Sequence, residues 1–183
     1  MAGRYAAFLR AVNLGETRKA PAEQLVAAFE DAGFTEIETF QNSGNVVFTD
    51  DGRTAKAKLI EAIEAGLREE LGFEVPVFLR TEEEMEAIAS KQPFPAKAVE
   101  SSKGKLQVAL LAEKPAAAAK KRVMSLASER DRLTLDGAEL YWLPSDGVQG
   151  SRLDMKAIAR AVGPSTVRTH GTIERIAAKF FGG

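Results

Sequence analysis

The sequence predicts an α+β protein whose two halves follow one order of elements, and three observations predict it. Residues Thr35 to Thr49, T-E-I-E-T-F-Q-N-S-G-N-V-V-F-T, alternate around the polar stretch Asn42-Ser43-Gly44-Asn45 and read as two antiparallel strands joined by a tight turn. A helix-spaced apolar stripe stands on either side of that hairpin. From Lys105 onward, strand, helix and hairpin patterns come again in the same order.

Tyr5 to Val12 is short and apolar with polar flanks, a strand running into the loop Asn13-Leu14-Gly15-Glu16-Thr17-Arg18-Lys19. Pro21 suits a first helical position, and Leu25, Ala28, Phe29 and Ala32 recur at helical spacing until Gly33. After the hairpin, Thr54 is the expected N-cap of a helix whose Leu59, Ile60, Ile63, Leu67 and Leu71 form one stripe, stopped at Gly72. Phe73 to Arg80 is the next strand, and Pro76 places it at a sheet edge. The order β-α-β-β-α-β is the split βαβ arrangement of the ferredoxin-like fold. A right-handed crossover makes strands one and two parallel, with strand three antiparallel between them. Asn13-Leu14-Gly15 and Ser43-Gly44-Asn45 are therefore expected to face each other at one sheet edge.

Thr81-Glu82-Glu83-Glu84 has capping-box form and opens a short helix carrying Met85 and Ile88. Pro93-Phe94-Pro95 stops it, and the run to Ser101-Ser102-Lys103-Gly104 has linker composition, so the expected domains are 1–92 and 104–183 with a linker at 93–103. Lys105 to Leu111 reads as a strand. Pro115 to Ala127 reads as a helix with Val123, Met124 and Leu126 toward the core, and strands flank Asp136-Gly137, a hairpin-turn pair. Leu153 to Ala159 is a helix ended at Gly163-Pro164, Thr166 to Arg168 a short strand, and Thr169 caps a last helix from His170 to Phe181. This second half is the less regular of the two.

At 183 residues, one compact unit or two domains of roughly 90 residues each are open. Lys and Arg total 25 against 26 Asp and Glu, so no protein-wide attraction to nucleic acid or anionic membrane is expected. With no cysteine, thiolate catalysis, disulfides and Cys-ligated zinc are excluded, and one histidine excludes a His-rich metal site. No stretch approaches the roughly 18 apolar residues of a membrane span, and a cytoplasmic location is expected. No Walker loop, Gly-x-Gly-x-x-Gly or EF-hand loop occurs, and no cofactor is expected.

Three motifs, F-L-R-A-V-N-L-G at Phe8 to Gly15, F-Q-N-S-G-N-V-V-F at Phe40 to Phe48, and S-R-L-D with T-V-R-T-H-G-T in the last third, resemble the bacterial family known as domain of unknown function 1697. The resemblance implies a pair of ferredoxin-like units and no established activity. Its recurring polar positions fall on Arg10, Asn13, Gly15, Lys19, Ser43, Gly44, Asn45, Arg152, Arg168 and Thr172. Two departures stand out. Arg152 replaces the family's usual Lys, and Thr169-His170 stands where the family usually has Asn-Trp.

Two candidate sites follow. At the facing loops, backbone amides around Gly15 and Gly44, the amides of Asn13 and Asn45, and the cations Arg18 and Lys19 could hold a small anionic or polar ligand. The competing reading is that the glycines supply positive φ while Asn and Ser side chains bond their own turns. Arg10, a charge in an apolar strand, is expected to project into this cleft. In the last third, Arg152, Arg168, His170 and Arg175 could surround a phosphate at the final helix, against a plain solvated basic face beside Asp154 and Glu174. His170 alone reads as a surface residue. Ser43 with Lys19 is a weak nucleophile and base pair, with nothing to fix its geometry. The element order is also that of RRM domains, yet Arg10 and Asn45 occupy the positions where aromatic rings should stack on bases. The first reading is a binding module. A nucleic-acid-associated protein using Arg10 and the C-terminal arginines, or an enzyme of unnamed reaction, are the alternatives, and an edge strand open to pairing leaves the oligomeric state open.

Overall fold

The computed structural model describes residues 2–182. It is an α+β fold of two tandem units. Unit 1 comprises Met1–Glu86 with Ile176–Gly183, and unit 2 comprises Ala87–Arg175.

Unit 1 contains β1 (Gly3–Leu9), α1 (Ala22–Asp31), β2 (Thr35–Thr39), β3 (Asn45–Asp50), α2 (Lys56–Leu71) and β4 (Val77–Thr81). The sheet order is β2-β3-β1-β4. β1 and β2 each pair antiparallel with β3, so they run parallel to one another, as the handedness of the crossover requires. Period-2 alternation aims Ala7, Leu9, Val46, Phe48 and Leu79 at the helices, where they meet Leu25, Ala28 and Phe29 of α1 and Leu59, Ile63 and Leu67 of α2. Phe48 is the hub, with ring centroids 4.6 Å from Phe34, 5.2 Å from Phe29 and 5.6 Å from Tyr5. Burying each such ring contributes roughly 2–3 kcal/mol.

Several boundaries differ from expectation for local reasons. β1 stops at Leu9 rather than Val12, because the chain turns through left-handed backbone at Ala11. Pro21 is the N-cap of α1 rather than its first residue, and α2 opens at Lys56 after Ala55 instead of being capped by Thr54. Gly72 ends α2 in the left-handed conformation, and β4 is an edge strand, with Pro76 just outside it. The hairpin turn is longer than a tight one, spanning 40–44. α3 (Glu82–Ser90) begins with the reciprocal capping box, Glu84 N donating to Thr81 Oγ1 at 3.1 Å and Thr81 N to Glu84 Oε2 at 2.8 Å.

The segment read as a linker carries α4 (Ala96–Ser101). Unit 2 then builds β5 (Gln107–Leu111), α5 (Ala117–Met124), β6 (Asp131–Asp136), β7 (Glu139–Pro144), α6 (Met155–Val162), β8 (Ser165–Thr169) and α7 (His170–Ile176). Its strand order, β6-β7-β5-β8, is that of unit 1. The core is Leu111, Val123, Leu133, Leu135, Leu140, Trp142 and Ile158, with Leu126 packed against it. Met124 is a correction. One residue beyond inward-facing Val123, it is turned about 100° around the helix and is 36% exposed. Within unit 1, a five-residue π-helical turn, Ala177–Phe181, sets Phe180 edge-on to Phe40 at 6.2 Å.

Candidate functional site

The loops after β1 and between β2 and β3 meet. Leu9 N donates to Gly44 O at 2.8 Å, and Arg10 N donates to Pro76 O at 3.0 Å. Left-handed backbone occurs at Ala11 (φ 59), Asn13 (φ 54), Gly15 (φ 56) and Arg18 (φ 51) on one side, and at Gln41 (φ 58) and Gly44 (φ 75) on the other. Each non-glycine in that region costs roughly 1–2 kcal/mol, so the conformation persists only where surrounding bonds over-determine it.

Asn13 supplies those bonds. Its Oδ1 accepts from Ala20 N at 2.8 Å, while its Nδ2 donates to Asn42 Oδ1 at 3.1 Å and lies 3.3 Å from both Asn42 O and Ala20 O. Asn45, 1% exposed, donates from Nδ2 to Ser43 Oγ at 2.8 Å and Phe40 O at 3.0 Å. Gly44 is required twice over: beyond its positive φ, a Cβ there would lie 2.7 Å from Val12 Cγ2 and 3.1 Å from Leu9 O. Gly15 is exposed with open space around it.

The cations divide. Arg18, expected in the cleft, instead fastens its own loop: Nε donates to Ala11 O, Nη2 to Glu74 O at 2.7 Å, and the guanidinium lies 4.5 Å from the Phe73 ring centroid. Lys19 is exposed, with Nζ 3.6 Å from Glu16 Oε2. Ser43 Oγ accepts from Asn45, and Lys19 Nζ makes no hydrogen bond to it among the described residues, so the two are not arranged as a nucleophile and base. Arg10 sits just past the strand, exposed, with no side-chain hydrogen bond or ion pair among the described residues. Arg10 and Lys19 are exposed residues of the loop that Asn13 fastens, and Ser43 belongs to the turn held by Gly44 and Asn45.

Three of the residues singled out in the last third line two different grooves of unit 2. Arg152 lines one of about 520 Å³ with Ser128, Arg130, Asp131, Asp146 and Gly150. His170 and Arg175 line another of about 470 Å³, beside Lys103, Gly104 and Lys105. His170 is a correction, since it is buried: Nε2 donates to Ile88 O at 2.8 Å and Nδ1 lies 3.0 Å from Glu174 Oε1. Arg168 bonds Thr166 Oγ1 and Val167 O, each at 2.9 Å, and burial pulls its pKa down to about 10, which leaves it charged at neutral pH. Thr172 Oγ1 lies 2.9 Å from Thr169 Oγ1, and Thr169 caps α7 by accepting from Thr172 N at 3.2 Å. The four basic residues thus do not share one pocket.

Sequence reasoning missed Asn42, Asp131 and Trp142. Asn42 carried a signal as the asparagine nearest the turn, whereas Asp131 reads as an ordinary strand-start acid until Ser151 and Trp142 are seen to converge on it. Among the described residues no group of three metal-ligating side chains occurs, and no helix is long and apolar enough to cross a membrane.

The model of the family described as "Protein of unknown function (DUF1697)" matches residues 2–141. A solved structure of a conserved bacterial protein from Streptococcus pneumoniae is similar with a TM-score of 0.71 at 21% identity, over 97% of this chain and 98% of that one. That likeness concerns the fold. No curated protein matches the sequence.

Proposed function

We propose that this chain, which belongs to the DUF1697 family of proteins of unknown function, is a binding module for a small anionic or polar ligand at the paired loops of unit 1. Arg10 and Lys19 supply charge, Ser43 and the backbone around Gly15 supply hydrogen bonds, and Asn13, Gly44 and Asn45 hold the frame. Arg152, Arg168 and Thr172 lie in unit 2 and are left out of this site.

One observation carries the reading. Unit 2 closes the same end of the same fold with far less: Leu111 N donates to Ala138 O at 2.9 Å, as Leu9 N does to Gly44 O, but across a two-residue turn, and only 112–116 separate β5 from α5. The fold therefore needs neither the long 10–21 loop nor the left-handed residues that shape it. Strained backbone held by dedicated side chains, with two exposed cations on the same loop, is how a preorganised anion site is built.

A thermal-shift screen with inorganic phosphate, sugar phosphates, mononucleotides and short RNAs tests this, because a ligand of the native state raises apparent stability by mass action. At least one small anion is expected to raise the transition temperature of the native chain, with the rise lost in Arg10→Ala/Lys19→Ala. No shift with any compound, or equal shifts in the variant, would reject it. A response confined to RNA that falls steeply with salt would point to the nucleic-acid alternative.

A further inference from the structure

The S-R-L-D motif belongs to unit 2 and takes no part in the proposed unit 1 site. Three of its four residues have structural tasks. Ser151 Oγ donates to Asp131 Oδ1 at 2.6 Å and accepts from Leu153 N at 3.1 Å, Leu153 packs on the core, and Asp154 caps α6 by accepting from Ala157 N at 2.9 Å. Arg152 has no such task. It is exposed, lines the 520 Å³ groove, and makes no side-chain hydrogen bond or ion pair among the described residues.

Asp131, only 5% exposed, lines the same groove. Its Oδ1 takes both the Ser151 hydroxyl and the Trp142 indole, the latter at 2.8 Å. Its Oδ2 has no hydrogen bond or ion pair among the described residues, where no fully buried side-chain oxygen lacks a partner, so Oδ2 is not fully enclosed, and Asp131 lines the groove. A buried carboxylate with one open oxygen carries a desolvation cost that a donor from a ligand would offset. The other two charges lining the groove satisfy each other, Arg130 Nη1 lying 2.7 Å from Asp146 Oδ2. What remains open is one anion and one cation. The wall itself is tightly built, since a Cβ on Gly150 would lie 2.5 Å from Asp146 O.

We propose that this groove binds a small zwitterion, a primary ammonium donating to Asp131 Oδ2 and a carboxylate or phosphate paired with Arg152. The charge balance selects that class: a plain anion would meet the open Asp131 oxygen, and a plain cation would leave Arg152 unanswered.

The molecule carries its own reporter. Trp142 is the only tryptophan, and its indole hydrogen bonds the same carboxylate, so a donor arriving at Oδ2 changes the charge beside the ring. Trp142 emission would be titrated with the common amino acids and phosphoethanolamine, with methylamine and acetate as separate controls, on the full chain. Saturating change is expected with at least one zwitterion and with neither control. Arg152→Gln should weaken that binding about tenfold with the unfolding transition unmoved, as expected for one lost charge-assisted bond. Asp131→Asn keeps an oxygen for Trp142 and Ser151 but sets an amide N–H against the ammonium, and should abolish saturation while native emission is retained. Arg10→Ala/Lys19→Ala should leave the titration unchanged, which separates this groove from the unit 1 site. The proposal is overturned if no zwitterion changes the emission, if methylamine or acetate alone works as well, or if Arg152→Gln binds like the native chain.

Discussion

The two units share strand order and strand directions, yet each is elaborated at the opposite end. In unit 1 the long connection is 10–21, while the hairpin turn 40–44 and the β3 to α2 passage 51–55 are of equal length. In unit 2 the corresponding near connections shrink to 112–116 and 137–138, and the length moves to 145–154, between β7 and α6. The difference teaches what the ferredoxin-like plan itself requires. A two-residue turn closes the hairpin, so the larger constructions at Asn13–Asn42 and at Asp131–Ser151 answer to something other than chain closure. They also differ in kind. The unit 1 loops use the side-chain amides of Asn13 and Asn45 to hold their shape and carry the exposed cations Arg10 and Lys19, whereas the unit 2 groove leaves one oxygen of a buried acid without a partner among the described residues.

Substitutions at equivalent turns sharpen that contrast. Gly44→Ala adds a Cβ 2.7 Å from Val12 Cγ2 at a φ of 75 and should cost about 2–4 kcal/mol in urea unfolding. Gly137→Ala, at a φ of 60 with its nearest neighbour at 4.0 Å, should cost only about 1 kcal/mol. Equal costs would break the claim that the unit 1 turn is packed more tightly. Asn13→Ala removes the bonds to Asn42 and Ala20 and should cost about 1–3 kcal/mol, with faster amide exchange across 10–21 and no change at 112–116.

The capping box gives a smaller effect with a defined pH dependence. Burial alone would raise the Glu84 pKa, but hydrogen bonds from Lys56 and the Thr81 amide outweigh it and leave it below the usual glutamate range. A folded pKa below the unfolded one means that Glu84 stabilises the protein above the ordinary glutamate pKa. That contribution is lost as pH falls through the lowered folded value. Both partners keep much side-chain exposure, 38% for Lys56 and 42% for Glu84, so solvent screening limits the effect of Glu84→Gln to about 0.5 kcal/mol at pH 7. Unfolding at pH 7 and in acid checks the sign: the gap between the native chain and Glu84→Gln should close in acid. The smallest effect belongs to Arg10→Ala, which should leave the unfolding midpoint unmoved because its side chain is exposed and makes no hydrogen bond or ion pair among the described residues.

Much of this is legible in the sequence wherever one local rule decides. Periodicity places α1 and α2, Thr81 and Glu84 announce their capping box, and the right-handed crossover is enough to bring Asn13 beside the 40–44 turn. What is not legible depends on partners far along the chain. Arg18 reads as a cleft cation because nothing in its own loop shows that Glu74 O and the Phe73 ring will receive it. His170 reads as exposed because its acceptor, Ile88 O, lies 82 residues away. Left-handed Ala11, which ends β1 early, follows from bonds made by Asn13 and Arg18 and from no propensity of alanine.

Amide chemical shifts of the labelled native chain, followed while sugar phosphates and mononucleotides are added, test most directly whether the enlarged loops of unit 1 exist to hold a ligand. The proposed site predicts saturable shifts at Gly15, Ser43 and Gly44, with Gly137 and Ala138, at the same place in the sister unit, unmoved. Shifts spread alike over both turns, or none at either, would contradict it.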